Sequence, residues 1–317
     1  MRICFVGSPP FGTPILERLA GSAFAPALVV TPPARARGRG RKAAPQPLAE
    51  RAVELGLEVA QPGSVRDPEF HAQLEALAPD VILVASYGEF LRQSFLDLPR
   101  IAPLNVHPSL LPRHRGATPI PATILAGDDV AGVTIQRIAM ELDAGDILVA
   151  AEAPIIAGET AGEMTLRLAE FSGGLCLEAL EQLAGGEAVF VPQDHDAATH
   201  CKKLEKQDGQ LDWSLSATEL ERAVRAFNPW PGAFTQRPEG KLLSVWRAHV
   251  VPSDSQAAPG TVISAVNGDD ALVVACGSGA LALDEVQAPG KRPLPAGDFQ
   301  RGARIEPGVQ LGLEATT

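Results

Sequence analysis

A polar pair at the end of an apolar run is the first candidate for chemistry. Asn105 and His107 lie two positions apart in the strand-like run 102–107. Residues at i and i+2 of a strand project to the same side, so the amide and the imidazole would lie next to each other. A single histidine at a strand end is more often structural. Here the turn that follows, 108–116, is rich in Pro, Ser and Gly and can shape a pocket.

A carboxylate in a second loop is the next candidate. Asp143 lies in the segment 140–146, between two predicted strands. Such a carboxylate is usually solvated or caps a turn. The sequence spacing does not bring Asp143 to His107, and only the fold can do so.

A basic loop follows the predicted strand 27–31, at the end of the sheet where open α/β folds bind ligands. On a chain of net charge −11, which counts against bulk electrostatic binding of nucleic acid, this cluster indicates a phosphate-binding or RNA-backbone arm. Composition does not separate RNA from a nucleotide sugar or a phosphorylated small molecule. Its glycines and like charges predict disorder over 34–43 in the free protein. The cationic residues are Arg35, Arg37, Arg39, Arg41 and Lys42.

The elements that must position these residues alternate between short apolar strands and amphipathic helices. That alternation predicts a Rossmann-like, mostly parallel α/β sheet. The predicted strands are 2–7, 27–31, 57–60, 80–85, 102–107, 132–138 and 147–153, and the predicted helices are 11–20, 47–55, 68–77 and 159–183.

The composition changes near residue 190. We predict a catalytic domain over 1–190, a linker over 191–206 and a small OB-like β-barrel over 207–317. The C-terminal part is predicted to hold a helix at 217–227 and strands at 242–246, 260–266, 271–276 and 281–286.

Composition excludes several classes of protein. Hydrophobic residues make up 45% and charged residues 21%, as in an ordinary globular protein. No stretch approaches the roughly 18 apolar residues of a membrane helix, and the N-terminal run 3–6 is too short for a signal peptide, so we expect a cytoplasmic protein.

The four cysteines form no C-x-x-C motif, and no spacing suggests a metal site. The first glycines, Gly7 and Gly12, make neither a dinucleotide fingerprint nor a P-loop.

The motif Asn105-x-His107-Pro108-Ser109-Leu110-Leu111-Pro112, followed by Leu142-Asp143-x-Gly145, resembles the folate-dependent formyltransferases. Five further segments are similar to the members of that family that act on methionine carried by initiator tRNA. The basic loop departs from their pattern, because it begins Thr-Pro-Pro-Ala-Arg-Ala and lacks the usual acidic residue. The five segments are 7–11, 38–42, 212–214, 225–232 and 289–291.

The resemblance implies transfer of the formyl group of 10-formyltetrahydrofolate to the amine of methionyl initiator tRNA, without a metal. Asn105 and His107 would stabilise the oxyanion that develops, each such donor being worth roughly 2.7–4 kcal/mol. Asp143 would orient His107, favour its charged form and help to remove a proton from the amine. The protein would be a monomer with no membrane partner.

The resemblance also implies binding residues. The bond Leu111–Pro112 is a candidate cis peptide. The folate site would comprise Ser86, Tyr87, Gly88, Phe90, Leu91, Ser109, Leu110, Leu111, Pro112, Met140, Glu141 and Leu142. The tRNA contacts would be Arg35, Arg37, Arg39, Arg41, Lys42, Lys203, Lys206, Lys291 and Arg292.

Two alternatives remain open. A sugar-nucleotide N-formyltransferase acting on a UDP-amino-sugar would share the catalytic motif; the basic segment 38–42 and the pair Phe227–Asn228 favour the tRNA substrate. A non-catalytic RNA-binding protein on a Rossmann scaffold would not need Asn105, His107 and Asp143 together.

Overall fold

The fold is that of a computed structural model, in which the chain divides into two compact units. The domain boundaries expected from the sequence, at residues 190 and 206, remain a prediction. The structure describes residues 1–33, 35–37, 42–44, 46–265, 272–303 and 305–312, with backbone only for 35–37, 42–44 and 264–265. The first unit comprises Met1–Pro119, Asp129–Ile155 and Glu163–Lys202, and the second comprises Ile120–Asp128, Ile156–Gly162 and Lys203–Thr317.

A seven-stranded, mostly parallel sheet forms the centre of the first unit, as predicted. The strands along the chain are β1 (Ile3–Gly7), β2 (Leu28–Val30), β3 (Arg35–Arg37), β4 (Lys42–Ala44), β5 (Val59–Ala60), β6 (Val81–Ala85), β7 (Ala102–His107), β8 (Arg115–Gly116), β9 (Val130–Arg137), β10 (Ile147–Pro154) and β11 (His200–Cys201). The sheet order is β10-β9-β7-β6-β1-β2-β5. Every residue of β1 and β6 is buried, as expected of strands covered on both faces.

Helices cover this sheet and connect its strands. Sequence signals explain where some of them begin: Asp67 caps α3 by accepting from the backbone N–H of Glu69, and Pro68 occupies the first turn. The helices of the first unit are α1 (Gly12–Ala20), α2 (Pro47–Glu54), α3 (Pro68–Leu77), α4 (Gln93–Leu96) and most of α6 (Ala161–Gly185). The helix α5 (Pro119–Ala126) lies almost entirely in the second unit.

The antiparallel pairing of β7 with β9 matters most for the polar residues singled out above. Its register places Asn105 opposite Gln136 and His107 opposite Thr134. The chain then passes through the loop that carries Asp143 and returns as β10, which pairs antiparallel with β9.

The arms of the basic loop pair with each other. Strands β3 and β4 form a two-stranded antiparallel ribbon, with Arg37 opposite Lys42. The expected disorder over 34–43 is therefore wrong for these arms, because their backbones form a ladder. Arg39 and Arg41 lie outside the described residues.

An antiparallel, curled sheet forms most of the second unit. It is a half-barrel and lies where the sequence predicts a small β-barrel. Its order is β12-β13-β16-β15-β14, with β17 paired to β16. Ser216 and Glu219 form a capping box that starts the helix α7. The elements are α7 (Ala217–Ala226), β12 (Ala233–Gln236), β13 (Leu242–Val251), β14 (Val262–Ala265), β15 (Leu272–Ala275), β16 (Ala280–Gln287), β17 (Leu294–Pro295) and α8 (Ala296–Ala303).

None of the helices in the described ranges combines the length and the apolar character that crossing a bilayer requires.

A glycine pair inside α6 gives a test of the packing in the first unit. A Cβ at Gly173 would lie 2.8 Å from the Cβ of Arg18 in α1, whereas a Cβ at Gly174 would meet nothing within 4 Å. We expect Gly174→Ala to raise the free energy of unfolding by up to about 1 kcal/mol, because alanine favours the helix.

We expect Gly173→Ala to lower the free energy of unfolding, because crowding of a packed contact typically costs about 1–3 kcal/mol and exceeds the gain in helix propensity. Urea unfolding of both variants measures this difference. Equal stabilisation by the two substitutions would contradict the close approach of α6 to α1.

Candidate functional site

His107 is a buried imidazole at the carboxyl end of β7, only 4% exposed. Its Nε2 lies 3.0 Å from the carbonyl oxygen of His114. Because a carbonyl only accepts, Nε2 carries a hydrogen and donates it. The other nitrogen, Nδ1, lies 3.6 Å from Oδ1 of Asp143, which is beyond hydrogen-bond distance. Nδ1 is therefore the atom where the ring gains or loses a proton.

Three N–H groups hold the carboxylate of Asp143. Asn105 Nδ2 and Gln136 Nε2 donate to Oδ1 at 3.3 and 3.0 Å. The backbone N–H of Gly116 donates to Oδ2 at 2.9 Å. Three hydrogen bonds from different parts of the chain fix the direction of the carboxylate. The fold thus brings the three predicted residues Asn105, His107 and Asp143 together.

The loop that carries Asp143 turns back tightly on β9. Asp143 has φ +52°, a left-handed conformation that aspartate tolerates better than most residues. A Cβ at Gly145 would lie 1.8 Å from the carbonyl oxygen of Arg137, so only glycine fits there. The loop closes where the backbone N–H of Arg137 donates to the carbonyl of Asp146 at 2.9 Å.

Opposing effects set the charge of His107. Burial lowers its pKa, because removal from water penalises the imidazolium. The carboxylate of Asp143 raises the pKa, as does the hydrogen bond to the carbonyl of His114, while the His114 side chain lowers it. The net pKa of His107 is below its ordinary value, so the neutral ring is favoured.

The segment that follows β7 is tied to β9 by one threonine. Thr134 Oγ1 donates to the carbonyl of Ser109 at 2.7 Å and accepts from the backbone N–H of Leu111 at 3.1 Å. Ser109 Oγ donates to the carbonyl of Arg113 at 2.6 Å. The Leu111–Pro112 bond is cis, which confirms that prediction. Leu110 and Pro112 are half-buried.

The other predicted folate residues fall into two groups. Tyr87 packs in the core, where burial raises its pKa to about 12, and Leu91 packs against the same cluster. Their neighbours are exposed on loops, and the roles of all of them stay predictions. The exposed residues are Ser86, Gly88, Phe90, Met140, Glu141 and Leu142.

The structure describes only part of the predicted tRNA surface. Lys203 and Lys206 are exposed, as are Lys291 and Arg292 in the turn before β17. For Arg35, Arg37 and Lys42 only the backbone is described, and Arg39 and Arg41 lie outside the described residues.

Sequence reasoning missed Gln136, Gly116 and Gln193 as partners of Asp143. A signal for Gln136 exists: Thr134 and Gln136 lie at i and i+2 in an otherwise apolar strand, as Asn105 and His107 do. No group of three or more His, Cys, Asp or Glu side chains suited to a metal occurs within the described part of the chain.

Two family models match this chain. The model "Formyl transferase" matches residues 1–180, and "Formyl transferase, C-terminal domain" matches residues 203–304. The chain belongs to the formyl transferase family.

Among relatives in this family, the methionyl-tRNA formyltransferase of Methylococcus capsulatus is 44% identical over 98% of this chain and 100% of its own length. The methionyl-tRNA formyltransferase of Roseiflexus castenholzii is 44% identical over 98% of this chain and 99% of its own.

Two solved structures share the fold at lower identity. HypX from Aquifex aeolicus in complex with tetrahydrofolic acid aligns with a TM-score of 0.62 and 22% identity, over 95% of this chain and 47% of that protein. A Helicobacter canadensis N-formyltransferase in complex with folinic acid and dTDP-3-aminofucose aligns with a TM-score of 0.63 and 14% identity, over 91% of this chain and 99% of that one.

The contact between His107 and Asp143 predicts how the histidine titrates. Asp143→Asn removes the larger of the two effects that oppose burial, so we expect the pKa of His107 to fall further below its value in the unmodified protein. The imidazole C–H resonance of His107, assigned with a His107→Gln variant and followed by NMR from pH 8 downwards, measures it. An unchanged or raised titration midpoint would contradict the interaction.

Proposed function

We propose that this formyltransferase moves the formyl group of 10-formyltetrahydrofolate to the α-amine of methionine on initiator tRNA. One observation carries the proposal: at the end of β7, Asn105 donates to the carboxylate of Asp143, and this carboxylate lies 3.6 Å from Nδ1 of His107. The names of the near-full-length relatives support the acceptor.

The reaction makes one bond and breaks another. The amine nitrogen bonds to the formyl carbon, whose oxygen becomes an oxyanion, and the bond from that carbon to N10 of the folate then breaks. Asn105 has two side-chain N–H groups, of which one is directed at Asp143. The other donates to the oxyanion in this proposal, a contribution of roughly 2.7–4 kcal/mol to lowering the barrier.

His107 and Asp143 handle the proton. The attacking amine loses a proton and N10 of the folate gains one. A group that accepts the first proton and later donates one to N10 is therefore needed. Nδ1 of His107 receives it by way of water, and the carboxylate of Asp143, 3.6 Å away, stabilises the resulting imidazolium. The hydrogen bond from Nε2 to the carbonyl of His114 keeps the ring in place.

The folate site is proposed around the loops next to this cluster. Phe90, Met140 and Leu142 expose apolar side chains that stabilise a bound ring by leaving water. The remaining proposed contacts are the backbone groups of 86–88, the residues Leu91 and Glu141, and the segment 109–112.

The acceptor is proposed to be held by nine basic residues: Arg35, Arg37, Arg39, Arg41, Lys42, Lys203, Lys206, Lys291 and Arg292. In this proposal, residues 1–190 carry out catalysis and residues 207–317 bind the tRNA. The protein acts as a monomer in the cytoplasm.

The alternative acceptor, a UDP-amino-sugar, is less favoured. The N-formyltransferase from Helicobacter canadensis whose structure contains dTDP-3-aminofucose shares only 14% identity with this chain.

The test is a transfer assay with radiolabelled 10-formyltetrahydrofolate. Initiator methionyl-tRNA, elongator methionyl-tRNA and a UDP-amino-sugar are offered in parallel, with Asn105→Ala as the control of reduced activity. We expect label on initiator methionyl-tRNA, and a rate reduced by roughly 10²–10³-fold in the control.

Label on the sugar alone would retain the chemistry and overturn the acceptor. Label on none of the three would contradict the proposed function.

A further inference from the structure

Gln193 is a buried amide that reaches the loop of Asp143 from fifty residues further along the chain. It is 6% exposed and lies in the segment that follows α6. Its Nε2 donates to the main-chain carbonyls of Asp143 and Gly145, at 2.9 and 2.6 Å. It also lies 3.2 Å from Oε1 of Gln136.

The other end of this amide meets a buried arginine. Arg115 is 2% exposed, and its Nε and one Nη lie 3.0 and 2.7 Å from Oε1 of Gln193. A guanidinium only donates and a carbonyl only accepts, so the orientation of the amide is fixed by its partners. Its oxygen faces Arg115 and its NH₂ group faces the loop.

Asp143 is therefore held on two sides by glutamines that contact each other. Gln136 donates to its carboxylate, and Gln193 donates to its main-chain carbonyl. The loop has no regular secondary structure, so these hydrogen bonds limit how far the carboxylate moves relative to β7.

We propose that Gln193, anchored by Arg115, is a positioning residue for formyl transfer that fixes the Asp143 carboxylate against Nδ1 of His107. This inference rests on the proposed function for its catalytic consequence. Its structural part, the distance between Asp143 and His107, is open to measurement without any substrate.

The charge of His107 reports that distance. A carboxylate that moves away supports the imidazolium less, so the pKa of His107 falls. His114 and Asp143 act on His107 directly. The other groups around the network are Cys201 beside Asp143, and Glu141 and His195 beside Arg115.

Two variants test the assignment. Gln193→Glu keeps an oxygen that accepts from Arg115. It replaces the NH₂ group that donates to the carbonyls of Asp143 and Gly145 with a second oxygen, which cannot donate. Gln193→Met removes both functions at similar length. Gln73→Glu, at an exposed position of α3, is the matched control for the change of charge.

We expect kcat to fall about 10–100-fold in both Gln193 variants, because a displacement of about 1 Å from productive geometry costs that much. KM for the folate and for the tRNA should stay close to those of the unmodified enzyme. In Gln193→Met the NMR titration midpoint of His107 should move to lower pH. Gln73→Glu should change none of these, and thermal melting establishes that each variant is folded.

A folded Gln193→Glu enzyme with unchanged kcat, or a folded Gln193→Met protein with an unchanged His107 titration, would overturn the assignment. If the unmodified enzyme transfers no formyl group to any acceptor, the proposed function fails, and the His107 titration still decides the role of Gln193. If Gln193→Met does not fold, the titration of His107 in Gln193→Ala, which also adds no charge, replaces it, and an unchanged midpoint there overturns the assignment as well.

Discussion

The contact between a buried imidazole and a fixed carboxylate is the interaction on which the site depends. Burial favours neutral His107, and Asp143 favours its charged form. The net effect favours the neutral ring, which is the form that can accept a proton, and Asp143 stabilises the imidazolium that then forms. That balance holds only while Asp143 stays in place, and three N–H donors to its carboxylate keep it there.

The fold supplies these donors from three directions. Asn105 comes from β7, Gln136 from the neighbouring antiparallel strand, and Gly116 from β8. The register between β7 and β9 sets Asn105 beside Gln136, so the two amides converge on one oxygen of Asp143. On the other side of β7 the sheet continues with β6 and β1, whose residues are all buried.

Much of the first unit follows from local sequence. Continuous apolar runs identify buried parallel strands, and the pair Asn105 and His107 is visible from its i, i+2 spacing at a strand end. Asp143 joins them only through a loop closure that no local pattern encodes, and the resemblance to known formyltransferases supplied it. Gln193 lies in a segment that looks like a linker because proline and polar residues surround it. Its role depends on contacts 50 and 78 residues distant in sequence.

The second unit was harder to predict for physical reasons. The helix α5 contains two prolines and little amphipathic pattern, so its sequence does not indicate a helix. Strand β13 extends to Val251, past the predicted end at residue 246, because it pairs with β16 over that length while its side chains are alternately half-buried and exposed. Where a strand ends depends on its pairing with strands distant in sequence, and the residues of one strand alone do not determine that end.

The most direct test of the account is a single-turnover measurement of formyl transfer by His107→Ala, with folate binding followed in parallel. His249→Ala, on an exposed histidine of β13, is the control. We predict a transfer rate lower by about 10²–10⁴-fold in His107→Ala, with folate affinity and the control unchanged. Transfer within a few-fold of the unmodified rate in His107→Ala would contradict the central claim that this imidazole carries the proton.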